Sequence, residues 1–146
     1  MRVVVLLLFF GACNCAAQSS ANSVRLHTYV KSALEKIGIV VPPNAAIVVR
    51  FDEGSSCTAC YAHESVADSV LISGLQRNGA NVLLVRFVVV RRMRDFEAAR
   101  TTVLDTRAIV LPDVGAEGAK ACRTATKGAL RAIVHANGRI TTVQGN

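Results

Sequence analysis

Cys57-Thr58-Ala59-Cys60 is the segment whose residue types and spacing point most directly to covalent chemistry. Two cysteines three residues apart on a helix share one side of it, close enough for their sulfurs to bond. Ser56 is a suitable N-cap, which sets Cys57 at a helix N-terminus. There the free N–H groups and the helix dipole favour a thiolate. The thiolate is the form that attacks disulfides, so Cys57 is the expected nucleophile and Cys60 the resolving thiol.

Other chemistries fit the same stretch less well. A c-type haem site needs His directly after the second cysteine, and Tyr61 stands there. Zinc would need a second ligand pair. His63 lies one turn beyond Cys60 and with both thiolates would suit a soft metal such as copper; an exposed helix residue is the preferred reading. No metal and no cofactor is therefore expected. Asp52 and Glu53 precede the motif and are read either as a proton relay or, by default, as a solvated loop. His135 is expected to pack in a strand. Cys122 is either a third redox thiol or a buried, apolar-like residue, and base rates favour burial.

Positioning such a motif requires a strand before it and a helix after it. Ala45 to Phe51 is a short β-branched run, read as a buried strand, and Gly54-Ser55-Ser56 breaks it. The helix expected from Cys57 carries Val66, Val70, Leu71 and Leu75 as its apolar face and stops at Asn78-Gly79. Upstream, Leu26, Val30, Ala33, Leu34 and Ile37 recur at helical spacing, with Ser23 as N-cap and Gly38 as stop. Pro42-Pro43-Asn44 is a turn. Downstream, Asn81 to Val90 is a second buried strand, interrupted by Arg86 and so no membrane span. A basic turn, Arg91-Arg92-Met93-Arg94, leads to a helix from about Asp95 to Leu104. Arg107 to Leu111 is a strand closed by Pro112-Asp113, and Gly115 to Lys127 is a loop or short helix. Two strands about Asn137-Gly138 form a closing hairpin. The order predicts an α/β fold, a mostly parallel sheet flanked by helices with a C-terminal β-hairpin at an antiparallel edge.

Composition sets the outer bounds. The 146 residues suit one domain, and 51% apolar against 18% charged residues excludes disorder. Trp is absent and aromatics are 5%, so Val, Leu, Ile and Ala must build the core. Met1-Arg2, the apolar run Val3 to Phe10 and small residues through Ala17 have the order of a secretory signal, too short for a span of about 20 residues. Two cuts compete. One follows Ala17 and leaves Gln18 first; the other uses the lipoprotein-like box Phe10-Gly11-Ala12-Cys13 and leaves Cys13 lipidated as a membrane tether. The expected segments are a signal peptide over 1–17, an N-terminal tether (Gln18 to Asn22) and helix over 18–44, and one domain over 45–146. The expected location is periplasmic or membrane-anchored. Cys57, Cys60 and Cys122 remain after cleavage; an odd count leaves a thiol free or paired outside the chain. The net charge of +7 leaves open an acidic partner, a membrane surface or nothing specific. Arg91, Arg92 and Arg94 read by default as a solvated turn, and without interleaved aromatics no nucleic acid is expected.

Strand, Cys57-x-x-Cys60, long helix, strand, helix and a closing Asn137-Gly138 hairpin together resemble the thioredoxin-like superfamily. The stretch Arg107-Ala-Ile-Val-Leu-Pro-Asp113 before a late hairpin is similar to its redoxin branch. The resemblance covers about residues 45 to 143. It implies thiol–disulfide exchange with protein thiols or disulfides in an exported compartment, Cys57 attacking. The chain departs from the family at three places. Ser56 stands where Trp is usual, no proline stands near Gly128-Ala129 where a cis-proline is usual, and Gly54 replaces the Thr that a peroxidase needs. The competing expectation is a non-catalytic module of the same fold. Its cysteine pair would be a structural disulfide or metal site, and the module would serve partner binding.

Overall fold

The computed structural model describes residues 10–54, 58–101, 103 and 107–143. The elements are α1 (Phe10–Lys36), β1 (Ala45–Asp52), α2 (Thr58–Arg77), β2 (Asn81–Val90), a 3-10 turn (Met93–Asp95), α3 (Phe96–Arg100), β3 (Ile109–Val114), α4 (Glu117–Thr126), β4 (Arg131–His135) and β5 (Ile140–Thr142). They form a mixed five-stranded sheet of order β3-β2-β1-β4-β5. The strands β1, β2 and β3 are parallel, and the hairpin β4–β5 joins antiparallel along β1. This is the α/β architecture the element order predicts. Among the described residues no helix is long and apolar enough to cross a membrane.

The strand period of two sorts β1 onto two faces. Ile47, Val49 and Phe51 join Leu26, Val30 and Leu34 of α1 and Ala119, Ala121 and Cys122 of α4. Ala46 and Val48 join Leu84 and Ile133 beneath Leu71, Ile72 and Leu75 of α2. Both faces are covered, which is why the central strands read as nearly continuous apolar runs, each broken by one arginine. On the α1 face Phe51 and Phe87 stack with ring centroids 4.9 Å apart, and Tyr29 tilts against both. Asp113, at the end of β3, then fastens two helices at once. Its carboxylate accepts the Tyr29 hydroxyl at 2.7 Å and the Gly118 and Ala119 amides at 2.9 and 2.8 Å. Those amides belong to the first turn of α4, where free donors and the dipole favour an anion. Burial, and then the hydrogen bond to Asp113, pushes the Tyr29 hydroxyl well above its ordinary pKa.

Several elements differ from expectation. The segment Gln18 to Asn22, expected as a tether, is helical within α1. The helix after β1 begins at Thr58, and Ser56 and Cys57 lie outside the described residues. Its apolar face is the expected one only in part: Leu71 and Leu75 pack on the core, whereas Val66 and Val70 are 66% and 68% exposed, and Asp68 between them is fully buried. α3 ends at Arg100, four residues short of the expected Leu104. β3 runs through Pro112-Asp113 to Val114 instead of closing there. Its place at the sheet edge explains this, since an edge strand tolerates a residue without an N–H. The segment 115–127 contains the helix α4.

Candidate functional site

Strands β1, β2 and β3 all end on one side of the sheet, and there the chain runs from the end of β1 into α2, whose first residues include the second half of the cysteine motif. Such carboxyl ends are where open α/β sheets bind ligands. Cys57 and the Cys60 side chain lie outside the described residues, as does that of His63. Cys60 belongs to the first turn of α2, four residues before Glu64. Further along α2, Glu64 and Asp68, four residues apart, share one stripe of the helix.

That stripe covers a row of charge that the sequence reading missed. Arg50 of β1 is in register with Arg86 of β2 on one side and with Arg131 of β4 on the other. Three guanidinium groups thus lie abreast on the face beneath α2, and like charges directly opposite are unfavourable. Carboxylates from α2 and from β1 offset them. Glu64 pairs with Arg50, and Asp68 pairs with both Arg131 and Arg86, the latter at 3.4 Å. Asp52, two residues along β1 and so on the same face, accepts from Arg50 at 3.1 Å and faces Arg86 at 3.6 Å. The side chains of Arg86, Asp68 and Asp52 are only 1%, 0% and 3% exposed. The cluster is formally neutral, three cations against three anions, which is the condition for burying charge at all.

Asp52 is therefore no solvated loop residue, the default reading of its sequence position. Burial raises its pKa above the ordinary carboxylate value; Arg50 and Arg86 oppose the rise, and the Glu64 charge adds to it. Its Oδ2 has no hydrogen-bond partner among the described residues. Glu53, the next residue, fits the default reading better. It is exposed and pairs with Arg123 of α4 at 2.5 Å.

The remaining candidates sort by burial. Cys122 is fully buried in the α1–α4 core with its thiol pushed up to about 11, by burial first, with Thr126 and Arg123 opposing. That is the apolar-like alternative, and such a thiol is inert at neutral pH. His135 is half-buried in β4, its Nε2 3.0 Å from the Thr141 hydroxyl. Burial, and then the Arg139 charge, lowers its pKa. Among the described residues no group of three or more His, Cys, Asp and Glu side chains is arranged to hold a metal. A shallow cleft of about 330 Å3 lies between α2 and β2, lined by Ser69, Ile72, Ser73, Gln76, Leu84 and Arg107, away from the motif end. No protein-family model, no curated protein and no solved structure matches this chain.

Proposed function

We propose that this protein carries out thiol–disulfide exchange through Cys57 and Cys60, on a thioredoxin-like fold. The observation that carries the reading is Asp52: a buried carboxyl with a raised pKa at the end of the strand that leads into the motif. The sheet order and its closing hairpin are compatible with that fold. In the reducing direction the Cys57 thiolate attacks one sulfur of a substrate disulfide. The substrate S–S bond breaks, a Cys57–substrate bond forms, and the departing thiolate takes a proton. Cys60, deprotonated, then attacks the Cys57 sulfur, closing the Cys57–Cys60 disulfide and releasing the second substrate thiol. Two electrons pass from the dithiol to the substrate, and the reverse sequence oxidises a substrate dithiol. Asp52, at the end of the strand that leads into the motif, is the carboxyl that takes up and returns a proton in this reading, burial having raised its pKa. The signal-like order of residues 1–17 supports an exported compartment for this activity, with the protein free or tethered through Cys13.

The test combines trapping with a potential. Cys60→Ser should accumulate a mixed disulfide on Cys57, since nothing remains to resolve it, and Cys57→Ser should trap far less. A Cys57–Cys60 reduction potential well below about −300 mV, with no trapped partner, would instead indicate a structural bridge. Metal titration of the reduced protein decides the remaining alternative, a metal-binding pair.

A further inference from the structure

The inference drawn here rests on the exchange reading and concerns the class of substrate. The turn that leaves β2 emerges beside the end of β1, the strand that leads into the motif. In the β1–β2 register Asp52 lies opposite Val88, and β2 continues for two residues to Val90 before Arg91 and Arg92. On the other side of β1 the chain enters β4 beside Phe51, whose amide donates to the Leu130 carbonyl at 2.9 Å. Lys127 precedes that point by three residues and caps α4 in the left-handed conformation, φ +57°. The end of β1, from which the chain runs on to the motif, is thus flanked by the turn of Arg91 and Arg92 on one side and by the loop of Lys127 on the other.

The described carboxylates at this end of the sheet already face partners of their own, Glu97 included, which pairs with Arg100 at 3.0 Å. Glu53 holds Arg123, Glu117 holds Arg25 and Lys120, Asp95 faces Arg94 at 3.9 Å, and Asp113 is taken up by Tyr29 and the α4 amides. Arg91, Arg92 and Lys127 are exposed and have no ion-pair partner among the described residues. Met93 and Val114, 59% and 44% exposed at the same end, add apolar contact between and beside the cations. Uncompensated cations on both sides of a reactive segment attract an extended, negatively charged chain and raise its rate of encounter. We propose that the substrate of the motif is an acidic polypeptide segment, held by Arg91, Arg92 and Lys127.

The test uses the full chain and two labelled peptides of identical sequence except for their flanks, one rich in Asp and Glu, the other in Lys. Each is made in a disulfide-bearing and a cysteine-free form. The acidic peptide should bind, and exchange, faster or tighter by at least about tenfold at low salt, the lower end of electrostatic steering. The preference should collapse near 1 M salt, where the Debye length is about 3 Å. Arg91→Ser/Arg92→Ser/Lys127→Asn should lose the preference (Asn tolerates a left-handed backbone), and Arg77→Ser, at the opposite end of α2, should keep it. Equal binding of the two cysteine-free peptides, or a preference unaffected by the triple variant, would overturn the proposal. So would variant-sensitive binding to phosphatidylglycerol vesicles without binding of the acidic peptide, which would assign the cations to a lipid surface. Salt-sensitive binding of the acidic cysteine-free peptide with no exchange by either disulfide form would sustain the docking surface and refute the exchange chemistry.

Discussion

Arg86 on β2 and Asp68 on α2 form an ion pair at 3.4 Å with both side chains almost wholly withdrawn from water, 1% and 0% exposed. The pair ties the middle of α2 to the centre of the sheet, and the same carboxylate also holds Arg131 of β4. An apolar contact would hold α2 against the sheet without fixing its rotation. A buried charge must meet its partner or the fold fails, so this contact also sets which face of α2 looks inward.

Asp68→Ala should therefore cost about 3–5 kcal/mol, the scale of an uncompensated buried charge. Val70→Ser, two residues away on the exposed face, should stay within about 0.5 kcal/mol. Urea unfolding of both variants measures this. Equal costs would mean that the network does not hold the helix.

Gly118 gives a steric prediction on the opposite face. A Cβ there would stand 2.4 Å from Tyr29 Cε1 and 2.5 Å from Phe51 Cε1. Both rings are packed against Phe87, and the Tyr29 hydroxyl is held by Asp113. Gly118→Ala should destabilise by about 1–3 kcal/mol, the range for overpacking, although Ala is the better helix former. A thermal melt above the parent's would show that the rings yield.

The fold was legible because its signals are local. Ala45 to Val49 and Asn81 to Val90 announce buried strands through β-branched runs, and Asn137-Gly138 announces the hairpin; none depends on distant contacts. The site was legible only in its cysteines. The charge row failed because register is invisible in a single chain: nothing in the sequence shows that Arg50, Arg86 and Arg131 stand abreast. One signal was present and went unused. Arg50 and Arg86 each interrupt an apolar strand, and an arginine buried on a covered face demands a carboxylate. Glu64 and Asp68, four apart on the next helix, are the pair that could supply it. Val66 and Val70, exposed in the fold, were thus counted with Leu71 and Leu75, which do face inward, and the place of Asp68 on the inward side was missed.

Asp52 gives a pH signature. Its pKa in the fold is raised above the ordinary 3.8, so the protonated form is the one the fold favours. Its contribution to stability is then fully present below about pH 3.8 and lost as pH rises through the folded value. The stability of the parent relative to Asp52→Asn should fall steadily with increasing pH across that interval. Melts of both proteins on one pH series measure it, and a difference that grows with pH would reverse the assignment.

Cys122 should be silent in the native protein. With its thiol at about 11 and no exposed surface, iodoacetamide at pH 8 should leave it unmodified while it labels accessible cysteines. In concentrated urea it should react like any free thiol. Peptide mapping distinguishes the two states. Ready native labelling of Cys122 would mean that the α1–α4 core opens locally.

The two borders of the sheet close it to strand-on-strand association. β3 carries Pro112, which offers no N–H to a neighbouring backbone, and β5 is only three residues long with its two threonines exposed. Short or proline-bearing borders are how soluble sheets avoid polymerising through their edges. A chain so rich in valine and isoleucine would otherwise be a template for its own copies when crowded. It follows that lengthening β5 or replacing Pro112 should make the sheet more prone to associate with its own copies.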